Sequence, residues 1–155
     1  MKFKEFIGID ISKLSFDVRI HSNQQKSVFK NNNPGFKEMM KCVNKNLSCG
    51  KDEMLFALEH TGIYSLPICI FLSENQYHFV LLPGLEIKRS MGIQRGKNDK
   101  IDSGRIAEYA YQKANKVVEL QQLRAGVQSA EYARRQKAGI AFQVAKKVIE
   151  QNLKI

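Results

Sequence analysis

The chain has 155 residues, of which 43% are hydrophobic and 26% are charged, so it is expected to fold as one globular domain rather than to remain disordered. Lysine and arginine outnumber aspartate and glutamate by 25 to 15, which leaves a formal net charge of +10. This excess predicts a polyanionic partner. Because no long apolar run and no basic amphipathic segment stands at the start, nucleic acid fits better than a membrane.

The cysteines and the N-terminal residues indicate a reducing compartment. The three cysteines are odd in number and contain no pair at zinc-binding spacing, which argues against a disulfide framework and a zinc site. The apolar stretch at residues 6–9 is too short for a signal peptide. We therefore expect a cytoplasmic protein with reduced thiols.

The first part of the chain predicts a strand, a hairpin and a helix. Residues 5–10 form an apolar run that ends in Asp10, as in a buried strand whose last residue emerges at the sheet edge. Apolar and polar residues alternate over residues 16–20, and another apolar pair follows at residues 28–29, which is a hairpin pattern. Apolar side chains then recur at helical spacing over residues 36–47.

The middle of the chain repeats this alternation of strand and helix. Residues 54–58 form a second apolar strand, and an acid, Glu59, again follows its end. A helix is predicted over residues 63–73, with Pro67 tolerated in its first turn, and a strand over residues 78–82. Short strands that alternate with helices indicate an α/β domain.

The last part of the chain is basic. Residues 86–100 are dense in charge and contain two glycines, which predicts a mobile basic loop. A helix is predicted over residues 101–114, beginning close to two acids. Residues 121–155 are helical in composition, and their apolar face requires a partner, either the body of the domain or another chain.

Four acids stand at positions where strand ends and helix starts meet in α/β folds, namely Asp10, Glu59, Asp99 and Asp102. If Asp99 and Asp102 both lie on the helix, three residues apart, their side chains are about 5 to 6 Å apart and face one point. Such a cluster predicts a site for a hard divalent cation, Mg²⁺ or Mn²⁺. For Asp99 or Asp102 alone, a surface carboxylate or a helix cap remains the alternative.

Three sequence blocks resemble one known family, the DEDD transposases of prokaryotic insertion sequences, which include Piv-type DNA invertases and bridge-RNA-guided recombinases. The blocks are GIDISK at residues 8–13, EHTGIY at residues 59–64 and KNDKIDS at residues 97–103. The resemblance implies that Asp10, Glu59, Asp99 and Asp102 are the catalytic metal ligands. The departures, which are His60, Asn98 and Ser103 in place of Ala, Thr and Ala, remove none of these ligands.

The resemblance also implies a fold and a domain organisation. The expected fold is an RNase H-like domain of the RuvC type over residues 1–118, with a mixed five-stranded sheet flanked by helices, followed by a basic helical extension over residues 119–155. The resemblance further implies a C-terminal serine domain in members of the family, and we expect this chain to lack it. The chain is therefore expected to bind metal and nucleic acid without completing recombination unaided.

The expected function is DNA phosphodiester cleavage and strand transfer, with DNA as substrate, a guide RNA as a possible second partner and a homo-oligomer formed through the C-terminal helix. Five basic residues are candidate nucleic-acid contacts: Lys13, Arg95, Lys97, Arg134 and Arg135. Two alternatives stay open, a non-catalytic nucleic-acid-binding module and, with less support, an actin-like ATPase fragment, for which a glycine-rich phosphate loop is missing.

Overall fold

Five strands form one mixed sheet in the computed structural model, which describes residues 3–60, 62–90 and 101–114. The sheet order is β3-β2-β1-β4-β5. Strands β3, β2 and β1 pair in antiparallel fashion, whereas β1, β4 and β5 run parallel to one another. The strands are β1 (Glu5–Ile11), β2 (Ser15–Ile20), β3 (Lys26–Lys30), β4 (Met54–Glu59) and β5 (His78–Leu82).

Four α-helices flank the sheet within the described residues, which confirms the predicted RNase H-like α/β architecture. They are α1 (Asn33–Asn46), α2 (Leu66–Glu74), α3 (Gly84–Ser90) and α4 (Ser103–Gln112). Helices α1 and α2 pack together and contact the edge strands β3 and β5, respectively. Helix α4 packs against β1, β2 and β4, with α3 beside it.

The face of the sheet under α1 and α2 is an aromatic and aliphatic core. Phe16 of β2 contacts Phe36 of α1 at a ring-centroid distance of 5.7 Å, and Phe36 contacts Phe71 of α2 at 5.5 Å. Helix α1 starts where it does because the side chain of Asn32 accepts a hydrogen bond from the Gly35 N–H, and a proline occupies its first turn.

The opposite face is set by a close approach between α4 and β1. A methyl group added at Gly8 would collide with the carbonyl oxygen of Ser103 and with Ala107, so the helix backbone rests directly on the strand. Only glycine permits this contact. The first turn of α4 therefore lies over the middle of β1, two residues before Asp10.

The predicted strands and the helix at residues 36–47 are confirmed, but two other predictions need correction. The helix predicted from residue 63 begins at Leu66, because Gly62–Tyr64 forms a short 3-10 turn before it. The residues from 86 onward were predicted as a mobile loop, yet α3 extends to Ser90, and it is fixed by the buried side chain of Ile87. Residues 91–100 lie outside the described residues.

The predicted extension over residues 119–155, with its proposed self-association, also lies outside the described residues, so the domain boundary stays a prediction. Within the described ranges, every helix is too short or too polar to cross a bilayer.

Candidate active site

Asp10 and Glu59 lie side by side at the carboxyl ends of two parallel strands. The parallel register between β1 and β4 runs from Glu5 opposite Met54 to Ile9 opposite Leu58. The next residue on each strand is the acid. Because residues paired across parallel strands share a face of the sheet, both carboxylates project to the same side. The sequence predicted this convergence, and the strand pairing is what produces it.

The face that carries the two acids is the one covered by α4. Gly8 points at α4, and side chains alternate along a strand, so Asp10, two residues further on, lies on the same face. The first turn of α4 lies over Gly8. The two carboxylates are thus next to the N-terminal end of that helix.

Glu59 is half-buried, and its surroundings disfavour its negative charge. Burial raises the pKa of Glu59, the negative charge of Asp10 raises it further, and the positive charge of Lys88 on α3 opposes both. The carboxylate lies against Gly84, where any side chain would displace it. Two acids that repel each other in a partly desolvated position are a typical cation-binding pair.

Asp102 is the N-cap of α4 rather than part of the helix. Its Oδ1 accepts a hydrogen bond from the Arg105 N–H at 2.9 Å, and its backbone is extended. The expectation that Asp102 lies on the helix is therefore wrong, because α4 begins only at Ser103. That Asp99 and Asp102 face one point stays a prediction. For Asp102 the alternative prediction, a helix cap, is confirmed. Asp99 itself lies outside the described residues.

No group of three histidine, cysteine, aspartate or glutamate side chains that could hold a metal ion occurs within residues 3–60, 62–90 and 101–114. Of the four predicted ligands, the described part of the chain thus brings together Asp10 and Glu59, with Asp102 one residue before the helix that covers Gly8.

A further acid beside the pair was missed by the sequence analysis. Asp17 of β2 is directly opposite Asp10 in the antiparallel register, so it shares the face of Asp10. Its Oδ1 pairs with the Nζ of Lys26 at 3.0 Å. The alternation over residues 16–20 already marked Asp17 as lying on the polar side of its strand, but only the hairpin register places it next to Asp10.

The predicted nucleic-acid contacts are placed only in part. Lys13 is exposed in the turn between β1 and β2, three residues after Asp10. The other four lie outside the described residues: Arg95, Lys97, Arg134 and Arg135.

A cavity of about 320 Å³ has Asp102 in its lining but neither Asp10 nor Glu59. Two arginines, Arg19 of β2 and Arg105 of α4, are among the residues that line it. The Arg19 side chain also donates a hydrogen bond to the Gln24 carbonyl at 2.9 Å.

Comparison with known proteins gives one family. A protein-family model for DEDD transposases of the IS110 type, described as a transposase, matches residues 7–147. This span includes all four predicted acids. A search among curated proteins gave no match.

Proposed function

Because the match covers most of its length, the chain belongs to the DEDD transposase family, and on that premise we propose that Asp10, Glu59, Asp99 and Asp102 bind divalent metal for DNA cleavage and strand transfer. The family consists of enzymes that act on DNA. The observation that carries the proposal is the placement of Asp10 and Glu59 on adjacent parallel strands, on one face, with their charges in mutual repulsion.

The chemistry of the paired donors fits a divalent cation. Carboxylate oxygens are the preferred ligands of Mg²⁺, which is usually held by one or two carboxylates together with water and phosphate oxygens. The raised pKa of Glu59 reports an excess of negative charge and a loss of solvent at the pair. A bound cation would relieve both effects, since it favours the charged form of each acid.

Ile101, which precedes α4, is buried next to the acid pair. Its Cδ1 lies 3.4 Å from the position that a methyl group at Gly84 would take, beside the carboxylate of Glu59. We propose that Asp99, two residues earlier in the sequence, adds a further carboxylate to the pair.

The capping role of Asp102 is compatible with metal binding. The cap uses Oδ1, and an ionised carboxylate has a second oxygen and further lone pairs. Capping also fixes the Asp102 side chain beside the first turn of α4, over the strand that carries Asp10. We propose that Asp102 closes the site from this side.

The chemistry that divalent metal supplies in such sites is activation of a water or a 3′-hydroxyl and stabilisation of the leaving oxygen in an in-line displacement at phosphorus. The chain itself holds the carboxylates in place through β1, β4 and α4. We propose that basic residues orient the DNA phosphates around them, and the candidates are Lys13, Arg95, Lys97, Arg134 and Arg135.

Calorimetric titration with Mn²⁺ tests the proposal. We expect Asp10→Asn and Glu59→Gln each to weaken binding by at least about ten-fold, because even residues that only orient a metal ligand contribute 10- to 100-fold to metal affinity. Asp52→Asn is the matched control, since Asp52 is exposed and lies before β4, at the opposite end of that strand from Glu59. Cleavage of labelled DNA should be lost in the same two variants and kept in the control.

A non-catalytic nucleic-acid-binding module is the second candidate, because no metal-ready group of three side chains occurs in the part of the chain that the structure describes. The same titration separates the two functions. Isotherms that are unchanged in Asp10→Asn and Glu59→Gln, with DNA binding retained, would establish the binding module and refute the catalytic proposal.

A further inference from the structure

The edge strand β3 presents two lysines and a valine on a face that no described helix packs against closely. Lys26, Val28 and Lys30 are exposed, whereas Ser27 and Phe29, which alternate with them, are half-buried. Phe29 packs against Phe16, on the side of the sheet that α1 covers. We name the outer set, Lys26, Val28 and Lys30, the β3 lysine face.

The β3 lysine face continues the row of side chains that contains the catalytic acid. In the register, Asp10 is opposite Asp17, and Asp17 is opposite Val28. These three residues therefore share one face of the sheet, and Val28 lies about 10 Å from Asp10, two strand spacings away. Lys26 and Lys30 flank Val28 at about 7 Å on either side.

The charges on this surface favour a polyanion that passes over it. Lys26 leans toward the acid row, since its Nζ contacts Asp17 at 3.0 Å. Lys30 lies on the other side of Val28, and Arg19, directly opposite Lys26 in the register, adds a third positive charge on the same face. A phosphate backbone that passes along β3 on this face, beside the acid row, therefore meets positive charge on both sides of Val28.

Protection of an exposed sheet edge is the other common role of lysines on an edge strand. Val28 argues against that role here. It is 60% exposed, and an exposed β-branched residue at the centre of an edge strand promotes strand pairing instead of preventing it. An exposed apolar side chain between two cations can, in contrast, contact the sugars and bases that lie between two bound phosphates.

We propose that the DNA strand bound at the carboxylates crosses the β3 lysine face, with its phosphates at Lys26 and Lys30 and the sugar or base edges between them against Val28. This inference rests on the proposed function. Lys26 and Lys30 are about 14 Å apart along the strand, so the two lysines can contact two different phosphates of one nucleic-acid strand.

The salt dependence of DNA binding by the full chain tests the inference. We expect the slope of log affinity against log salt concentration to fall by about 2 in the Lys26→Gln/Lys30→Gln variant, since each neutralised phosphate contributes about 0.9. Lys30→Gln alone, which leaves the Lys26–Asp17 ion pair intact, should lower it by about 1. Lys37→Gln/Lys41→Gln is the matched control, because both lysines are exposed on α1, across the sheet, and its slope should stay that of the unmodified chain.

The outcomes separate this inference from the proposed function. An unmodified chain that fails to bind DNA overturns both. Binding by the unmodified chain, with equal slopes for the β3 variant and the α1 control, overturns the inference and leaves the proposed function standing.

Chemical acetylation of lysines in the unmodified chain tests the inference without any substitution that could affect folding. Bound DNA should protect Lys26 and Lys30 from acetylation and leave Lys37 and Lys41 reactive, as read by mass spectrometry. Equal protection of all four lysines would overturn the inference. Protection of Lys26 and Lys30 by RNA of the same length, with none by DNA, would also overturn it, because the surface would then serve another nucleic acid.

Discussion

Glu59 is the residue in which stability and proposed function conflict most directly. Burial and the charge of Asp10 raise its pKa above the ordinary value, so the folded chain holds the Glu59 proton more tightly than the unfolded chain does. The folded state therefore binds more protons in the interval between the unfolded and folded pKa values. Stability falls as pH rises through that interval and stays lower above it.

Glu59→Gln is accordingly expected to stabilise the metal-free chain at neutral pH while it weakens metal binding. In thermal melts with chelator, the gain should be present at about pH 7 and disappear below about pH 4, where the carboxyl of Glu59 is protonated in both states. Glu74→Gln, at the exposed end of α2, controls for the loss of one negative charge. A Glu59→Gln chain that melts no higher than the unmodified chain at neutral pH would contradict the proposed repulsion.

Gly8 controls the distance between β1 and α4. Gly8→Ala places a methyl group against the backbone of Ser103 and Ala107, which cannot yield as a flexible side chain would. We expect a loss of about 1 to 3 kcal/mol or more in the free energy of unfolding, measured by urea denaturation. Gly50→Ala is the control, since its nearest contact would be Glu53 Oε2 at an ordinary 3.7 Å. Equal midpoints for the two variants would show that α4 can move away from β1 without cost.

The stability of helix α4 depends on Asp102, because this side chain caps the helix that covers β1. Asp102→Ala should lower the free energy of unfolding by about 1 kcal/mol, whereas Asp102→Asn keeps a capping oxygen and should be nearly as stable as the unmodified chain. If Asp102 is also a metal ligand, both variants bind Mn²⁺ more weakly.

Asn32→Ala supplies the comparison for Asp102. It removes the cap of α1 and should also destabilise the chain by about 1 kcal/mol, but α1 lies on the other face of the sheet, so metal affinity should be unchanged. Full metal affinity in Asp102→Asn would restrict Asp102 to capping.

The short helix α3 shows where sequence reasoning fails at this scale. Three of its seven residues are charged, and they begin the charge-dense stretch over residues 86–100 from which a loop was predicted. The helix forms because Ile87 is buried and because the Tyr109 hydroxyl of α4 donates to Glu86 Oε2 at 3.0 Å. Burial, together with this contact, raises the pKa of Tyr109 to about 12. One buried residue in seven leaves no periodic signal in a sequence.

At the scale of the molecule, periodicity was enough to predict the strands, and the resemblance supplied the sheet to which they belong. The acids at the ends of β1 and β4 could be predicted as neighbours because carboxyl ends of parallel strands meet at one edge. The position of Asp17 beside Asp10 could not, since it depends on the hairpin register. The geometry of Asp102 depends on where α4 starts, and helix boundaries are weakly encoded in sequence.

The fold places part of the excess positive charge on one face of the sheet. A net charge of +10 predicts binding to polyanions but says nothing about where they bind. On the face of the sheet that carries Asp10, the register places Arg19 and Lys26 in one row and Lys30 beyond Val28, at the margin of the acid pair. Repulsion by the acids alone would keep DNA away, so cations beside them lower the barrier to its approach.

The parallel pairing of β1 with β4 also governs when the acid pair can come into being during folding. The hairpin of β1 and β2 is local and can close early, but Glu59 reaches Asp10 only after the intervening chain, with β3 and α1, has brought β4 back alongside β1. A chain that has formed only its hairpin therefore has no paired carboxylates. Affinity for divalent ions would then serve as a late marker of folding, because it appears only after β1 and β4 have paired.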